Sequence, residues 1–470
     1  MIRISTLTLV LARWAPTGVP RSVAVNKKLR SSLLVLLAVA APMGISAQEA
    51  VLPALLIEAD TANPQIFAAR NAAEAAAARI PQAGALPDPM LSIGFMNLPV
   101  TNPGFGSDMM TMTQVQIGAQ FPWPGKLSLR EDMARFGAEA AAWEIERVRD
   151  RVLTEVKSTY YRAHFLDRAL EVTVRNERLL ADFASLTSSK YGVGTGAQPD
   201  VLKAQVERSR LTDQIIALRE ERAGLEARLN ALLGRPTDTP LPATRFPEDV
   251  RAAATLSAAE ELSFASASLA DILSTPSQED GPLPSVAELQ RQALQHNPMI
   301  QAYVRRVTAQ ERAVRLAERA KLPDVSLTAG YSYRSGFGDF FNLMLSAPLP
   351  IFSGRKQDQA VVEQTATLAE REARYEAMVD EVHAEVASLW ADLQGARDQI
   401  ALLDEGILPQ ARTSLSSATA SYQVGGVDFL TLLDSQVTLY RHELDYHRLL
   451  ADFAKNLAAL ERAVGTEVLR

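Results

Sequence analysis

The chain of 470 residues contains no cysteine. Disulfide frameworks, thiolate metal centres and redox chemistry through sulfur are therefore excluded. Histidine is scarce as well, with five residues, and aromatic residues make up only 6% of the chain. Hydrophobic residues account for 47%, which is enough to build a large apolar core.

Acidic residues are absent from the first 47 positions, where six basic residues precede an apolar run at 32–41 and a small-residue stretch that ends at Ala47. This pattern predicts a signal peptide with an N-terminal extension over residues 1–47. The remainder holds 42 basic and 55 acidic residues, a balance that argues against nucleic acid as a partner. No later stretch approaches the roughly 18 apolar residues of a membrane-spanning helix.

The sequence repeats itself at an offset near 230 residues, which predicts an internal duplication. Five pairs recur in the same order: Asn63-Pro64 and Asn297-Pro298, Pro87-Asp88 and Pro323-Asp324, Pro124-Gly125-Lys126 and Ser353-Gly354-Arg355, Tyr191-x-Val193-Gly194 and Tyr422-x-Val424-Gly425, and Leu233-Gly234 and Val464-Gly465. We assign a first repeat to residues 48–234 and a second to 285–470. The Pro-, Ala- and Ser-rich segment 235–284 between them is interpreted as a linker or equatorial segment.

Each repeat is predicted to contain one β-hairpin, at 90–121 and at 325–349, because apolar and polar residues alternate there. Pro122 and Pro124 cannot donate ladder hydrogen bonds, so they end the strand, and Gly125 permits the turn into a helix. Apolar residues at four- and three-residue steps then predict a long helix over 126–190 and another over 355–421. Shorter helices are predicted to return at 199–233 and 428–464.

These motifs together resemble the TolC-like outer-membrane efflux protein family over residues 59–465, with its resistance-nodulation-division branch, including heavy-metal exporters, as the nearest form. The resemblance implies an α+β membrane protein that forms homotrimers. Each protomer would contribute four strands to a 12-stranded outer-membrane β-barrel, continued by a long antiparallel coiled-coil α-helical periplasmic tunnel. The residues agree, because four strands cannot close a barrel and an open edge is not tolerated in lipid.

The resemblance also implies the function of a passive exit duct in the outer membrane. A periplasmic adaptor and an inner-membrane pump would be its partners, with small molecules or metal ions as cargo and no cofactor, resident metal or catalytic residue of its own. The adaptor would dock at two tips of the tunnel, formed by Tyr191, Val193, Gly194, Tyr422, Val424 and Gly425. Asp434 would ring the periplasmic constriction, although a plain solvent-exposed carboxylate on a helix remains the alternative for it.

Other functions were weighed against this one. The exit duct of a type I protein secretion system has the same fold, and neighbouring genes would separate the two. A structural coiled-coil protein of the periplasm would not need two amphipathic hairpins. An exported enzyme is disfavoured because the motif His442-Glu443-Leu444-Asp445-Tyr446-His447 places its histidines five residues apart instead of the four of a zinc hydrolase helix.

Overall fold

A computed structural model of the protein describes residues 52–101, 108–255 and 283–469. The predicted signal peptide at 1–47, the glycine-rich loop at 102–107 and residues 256–282 of the predicted linker lie outside the described residues.

Long helices and four strands make up the described part. The helices are α1 (Leu52–Ala62), α2 (Pro64–Gly84), α3 (Lys126–Gly192), α4 (Gln198–Leu232), α5 (Glu248–Thr255), α6 (Val286–His296), α7 (Pro298–Arg319), α8 (Gln357–Ala401), α9 (Leu408–Gln423) and α10 (Phe429–Val464). The strands are β1 (Met90–Met96), β2 (Met112–Phe121), β3 (Val325–Tyr333) and β4 (Phe340–Ser346).

The four strands form one antiparallel sheet in the order β1-β2-β3-β4. The two hairpins are joined at its centre, where β2 pairs with β3 from Thr113 opposite Tyr333 to Phe121 opposite Val325. The outer pairs place Leu91 opposite Ile117 and Leu327 opposite Leu345. Strands β1 and β4 are therefore the two edges of the sheet.

Helix α3 has 67 residues, so it runs for about 100 Å. It contains no proline, and it packs against α2 and α7 as well as against α4 and α10. No helix among residues 52–101, 108–255 and 283–469 combines the length and apolar character needed to cross a membrane.

The helix predicted over 355–421 is not α-helical throughout, which corrects that expectation. A short 3₁₀ turn occupies Ser353–Arg355, α8 begins at Gln357, and a π-helical turn at Leu402–Ile407 separates α8 from α9. Pro409 lies in the first turn of α9 and has no N–H to donate, so the hydrogen-bond ladder changes just before it.

Both halves begin a helix in the same way. Asn63 accepts a hydrogen bond at Oδ1 from the N–H of Gln65, and Asn297 accepts one from the N–H of Met299. Each asparagine also donates from Nδ2 to a carbonyl at the end of the returning helix of its own half, Leu232 for Asn63 and Ala463 for Asn297, both at 2.8 Å. These bonds tie the helix start to the helix end in each half.

The main core lies where the ends of α4 and α10 meet α3, α6 and α8. The segment after α4, interpreted from the sequence as a linker or equatorial segment, belongs to this core in its described part. Phe246 and Val250 are buried there, α5 forms at Glu248–Thr255, and the hydroxyl of Tyr160 donates to the carbonyl of Arg245 at 2.6 Å. A second core joins α3, α4, α9 and α10 towards the helix reversals.

Candidate functional site

One face of the sheet is apolar across all four strands. Two rows of directly opposite residues show this: Leu91-Ile117-Ala329-Leu343 and Ile93-Val115-Tyr331-Phe341. In the single chain these side chains are uncovered, with Ile93 68% and Leu343 67% exposed. A contiguous exposed apolar surface of this kind marks contact with a membrane or a protein.

The opposite face of the sheet is mainly polar in its two central strands, where side chains alternate between the two faces. One row across it is Ser92-Gln116-Gly330-Asn342, and Asn342 also donates from Nδ2 to the hydroxyl of Ser332 at 3.0 Å. The edge strands add Met90, Phe340 and Met344 to this face. The centre of the sheet therefore separates an apolar side from a side lined by amide and hydroxyl groups.

An ion pair between a buried lysine and a partly buried aspartate joins the end of the first hairpin to the start of the second. Lys126, only 5% exposed, donates from Nζ to Oδ1 of Asp324 at 2.7 Å and to the carbonyl of Leu322 at 2.6 Å. The N–H of Trp123 donates to the same carboxylate oxygen at 2.9 Å. Gly125 has φ 87°, and a Cβ there would lie 2.0 Å from an Nη1 of Arg319. This junction fixes the angle between sheet and helix.

The first predicted tip lies at the reversal between α3 and α4, the end of α3 that is farthest from the sheet. Gly194 takes φ 79° and donates its N–H to the carbonyl of Tyr191 at 3.0 Å. Val193 is 74% exposed, and Tyr191 is exposed as well. The backbone turns in the left-handed region that glycine tolerates best, which leaves an apolar side chain in solvent.

The second predicted tip, between α9 and α10, has the same backbone form. Gly425 takes φ 80° and donates to the carbonyl of Tyr422 at 3.2 Å, while Val424 is 84% exposed. Tyr422 differs from Tyr191 because it is 5% exposed and its ring lies 5.8 Å from that of Phe429.

Lys190 brings the two tips together, and sequence reasoning missed it. Its Nζ donates to the carbonyl of Tyr422 and lies 4.3 Å from the centre of the Tyr422 ring. The only sequence signal for this role was that Lys190 directly precedes Tyr191 of the first predicted tip. Lys190 thus links the two reversals, each of which exposes a valine.

Asp434 lies on α10, two turns beyond the second tip, and its side chain is exposed. It makes no hydrogen bond or ion pair with any residue in the described part of the chain. The nearby Asp428 instead caps α10, accepting from the N–H of Thr431 at 2.9 Å. The pKa of Asp428 is lowered, first by the Thr431 hydroxyl and then by that N–H.

Two of the histidines, His164 and His447, are buried or half-buried. His164 is buried with Nδ1 3.1 Å from the hydroxyl of Thr244, and burial lowers its pKa. Burial also lowers the pKa of His447 to about 4, helped by the charge of Arg168. Glu443, the acid of the zinc-like motif, pairs with Arg175. Among the described residues no cluster of three or more metal-binding side chains occurs.

A sequence model described as "Outer membrane efflux protein" matches residues 55–235 and 289–466 of this chain. The chain belongs to the outer membrane efflux protein family. The resemblance found in the sequence is therefore confirmed, and the protein acts in efflux at the outer membrane. The two matched segments leave out residues 236–288, which include α5.

Individual members of the outer membrane efflux protein family agree. The chain is 22% identical to the cobalt-zinc-cadmium resistance protein CzcC of Cupriavidus metallidurans over 349 residues, covering 73% of this chain and 74% of that protein. It matches the solved structure of VceC from Vibrio cholerae with a TM-score of 0.70 and 19% identity, over 89% of this chain and 96% of that one. The outer-membrane channel OprN gives a TM-score of 0.71 at 18% identity, over 89% and 91%. The two structures establish the TolC-like channel fold.

Proposed function

We propose that three copies of this chain form a passive exit duct, in which twelve strands close one barrel in the outer membrane. The support is the sheet itself, with one apolar face, one polar face and two unpaired edges. Lipid cannot satisfy the backbone groups of open edges, so other copies must pair with them. The apolar face then contacts lipid and the polar face lines the lumen.

The helices continue this duct into the periplasm. At about 1.5 Å per residue, the 67 residues of α3 place the Val-Gly turns about 100 Å from the sheet. Residues 48–234 and 285–470 act as two copies of one unit, so a trimer presents six such turns. The duct itself supplies no energy, which comes from an inner-membrane pump; small molecules or metal ions are the cargo.

The periplasmic partner is inferred from the exposed side chains at the two tips. Val193 and Val424 hold large apolar surface in solvent at turns where Gly194 and Gly425 leave the backbone uncovered. We assign these turns, with Tyr191 and Tyr422, to docking of the periplasmic adaptor. The single observation behind this assignment is that both reversals expose a valine, an apolar residue that is usually buried in a core.

Asp434 is assigned to the constriction of the duct near its periplasmic end. It is an exposed and unpaired carboxylate within two turns of the tip. Three copies around one axis would form an acidic ring that favours cations.

The test replaces the exposed valine without straining the turn. The variant Val424→Asp is expected to abolish export in cells that lack the native duct, while trimers still form, because the substitution lies far from the barrel. Gln423→Asp is the matched control, since it adds the same charge to the same turn and removes no apolar surface. Adaptor crosslinking from Thr195→Cys is measured in both backgrounds.

Three possible results distinguish adaptor docking from gating and test the duct itself. Loss of both crosslinking and export in Val424→Asp, with Gln423→Asp intact, supports docking at the tip. Full crosslinking with export lost would reject docking and assign the turn to gating. Absence of trimers from the native chain in detergent extracts would overturn the duct itself.

A further inference from the structure

The two halves repeat individual hydrogen bonds as well as motifs. The bond from Asn63 to the carbonyl of Leu232 has its counterpart in the bond from Asn297 to the carbonyl of Ala463, with the same 2.8 Å length. A contact formed by residues of one half therefore predicts the contact formed by their counterparts.

The ion pair between Lys126 and Asp324 joins a residue of the first half to a residue of the second. The equivalent pair is therefore found by exchanging the two halves. By the sequence repeat, Arg355 corresponds to Lys126 and Asp88 corresponds to Asp324. Arg355 follows β4, whereas Asp88 precedes β1, so they flank the two opposite edges of the sheet. Within the described part of the chain, both side chains are exposed and neither has a hydrogen-bond or ion-pair partner.

The helices beside these residues differ in the same way, because one is covered by neighbours within the chain and its counterpart is not. Helix α7 packs against both α3 and α8 and buries six residues, including Ile300 and Ala302. Its counterpart α2 packs against α3 but buries only Ile66, and the adjacent Phe67 is 66% exposed. One side of α2 thus lacks the neighbour that α8 provides for α7.

We propose that Arg355 of one copy forms an ion pair with Asp88 of the next copy, and that this contact closes the ring. The proposal rests on the trimer proposed above and names the residues that join its protomers. Strand directions alternate across the sheet, so β4 of one copy meets β1 of the next antiparallel, as β2 meets β3 within the chain. Helix α8 of the first copy then covers the open side of α2 in the second. Such a head-to-tail interface generates a closed ring when the rotation between successive copies closes, as it does for three copies related by 120°.

The junction between β4 and α8 is more exposed than the junction between β2 and α3. Contact with the next copy would account for this difference. Ile351 and Phe352 stand where the first junction has Pro122 and Trp123, and both are largely exposed in the single chain. Leu86, beside Asp88, is exposed too. In the ring these apolar side chains cover one another, and the ion pair is removed from solvent as Lys126 and Asp324 are.

Crosslinking tests the contact directly, because the chain has no native cysteine. The full chain with Asp88→Cys and Arg355→Cys is treated in membranes with a short bifunctional thiol reagent. We use a reagent instead of a disulfide because two long, paired side chains hold their Cα atoms too far apart for one. Covalent dimers and trimers are expected, whereas a Lys126→Cys, Asp324→Cys variant should crosslink within one chain and run as a monomer.

Charge exchange gives the second measurement. Asp88→Arg and Arg355→Asp alone are each expected to lower the trimer fraction at least fivefold, and the double variant to restore it to within twofold of the native value. The proposed ion pair would be wrong if trimers form but positions 88 and 355 do not crosslink, or if the single variants form as much trimer as the native chain. Neither result would contradict the proposed duct. If the unaltered chain forms no trimer, both proposals fail.

Discussion

Asn63 and Leu232 are joined by a buried hydrogen bond of 2.8 Å that ties the start of α2 to the end of α4. Removing the side chain leaves the carbonyl of residue 232 without its donor and the N–H of Gln65 without its cap. We expect Asn63→Ala to lower the free energy of unfolding by about 1–3 kcal/mol, because a buried group loses its partner and a helix loses its N-cap. Denaturant unfolding in detergent measures this.

Asn63→Ser is the control for that variant. Serine keeps an N-cap acceptor but has no amide to donate to the carbonyl of Leu232, so it should lose less stability than alanine. Equal losses for both variants would mean that the cap contributes nothing. The same pair of substitutions at Asn297 should give the same order.

The sheet was largely predictable from the sequence. Strict alternation around Val115 and Ile117 gives the face of each residue, and prolines give the end of β2. The pairing of β2 with β3 was not predictable from periodicity, because alternation describes one strand and not its neighbour. The burial of Lys126 follows only from that pairing, since it places Asp324 within reach.

The segment after α4 shows a second limit. Its composition favours irregular structure, but Phe246 and Val250 are buried by helices that are far away in sequence. The interruption before α9 was signalled by Pro409, yet the choice of a π turn depends on the packing of both flanking helices. Of the tip residues, the exposure of the valines follows from their place in a turn, whereas the burial of Tyr422 depends on Lys190 from the other reversal.

His447 gives the protein a pH-dependent stability. Burial, aided by Arg168, lowers its pKa from 6.5 to about 4, so the folded state binds fewer protons than the unfolded chain between these values. Its contribution is complete above pH 6.5 and is lost as the pH falls towards 4. The loss amounts to roughly 3 kcal/mol.

Asp150 acts in the opposite direction. Burial and the nearby Glu146 raise its pKa from 3.8 to about 6, so the charged carboxylate is disfavoured in the folded state. Stability from this group is present below pH 3.8 and lost as the pH rises through 6. Relative to the native chain, we expect His447→Gln to become more stable as the pH falls from 7 to 5. Asp150→Asn should be more stable than the native chain at pH 7, and this advantage should shrink as the pH falls to 5. Thermal unfolding scans measure both. Identical pH profiles for the two variants would contradict both assignments.

The apolar face of the sheet makes a prediction about insertion. Ile117 lies opposite Leu91 and Ala329 on the face assigned to lipid. Ile117→Lys should cost about 2–4 kcal/mol if the residue lies near the bilayer midplane. Gln116→Lys, one residue away on the polar face, should cost far less. Trimer recovered from outer membranes is the measurement. Equal recovery of the two variants would contradict this assignment of the faces, and a larger loss for Gln116→Lys would show that the faces are exchanged.

Asp434 supplies the test of the constriction. Its carboxylate is exposed and unpaired within the described part of the chain, and three copies near one axis would attract multivalent cations strongly enough to block the current. Asp434→Asn keeps the shape and removes the charge, so we expect cation block in planar-bilayer recordings to be lost while the trimer persists. Asp445→Asn is the control, because this acid on the same helix already pairs with Arg448 at 3.1 Å. Unchanged block in Asp434→Asn would place this carboxylate on the outer surface of the helix, away from the lumen.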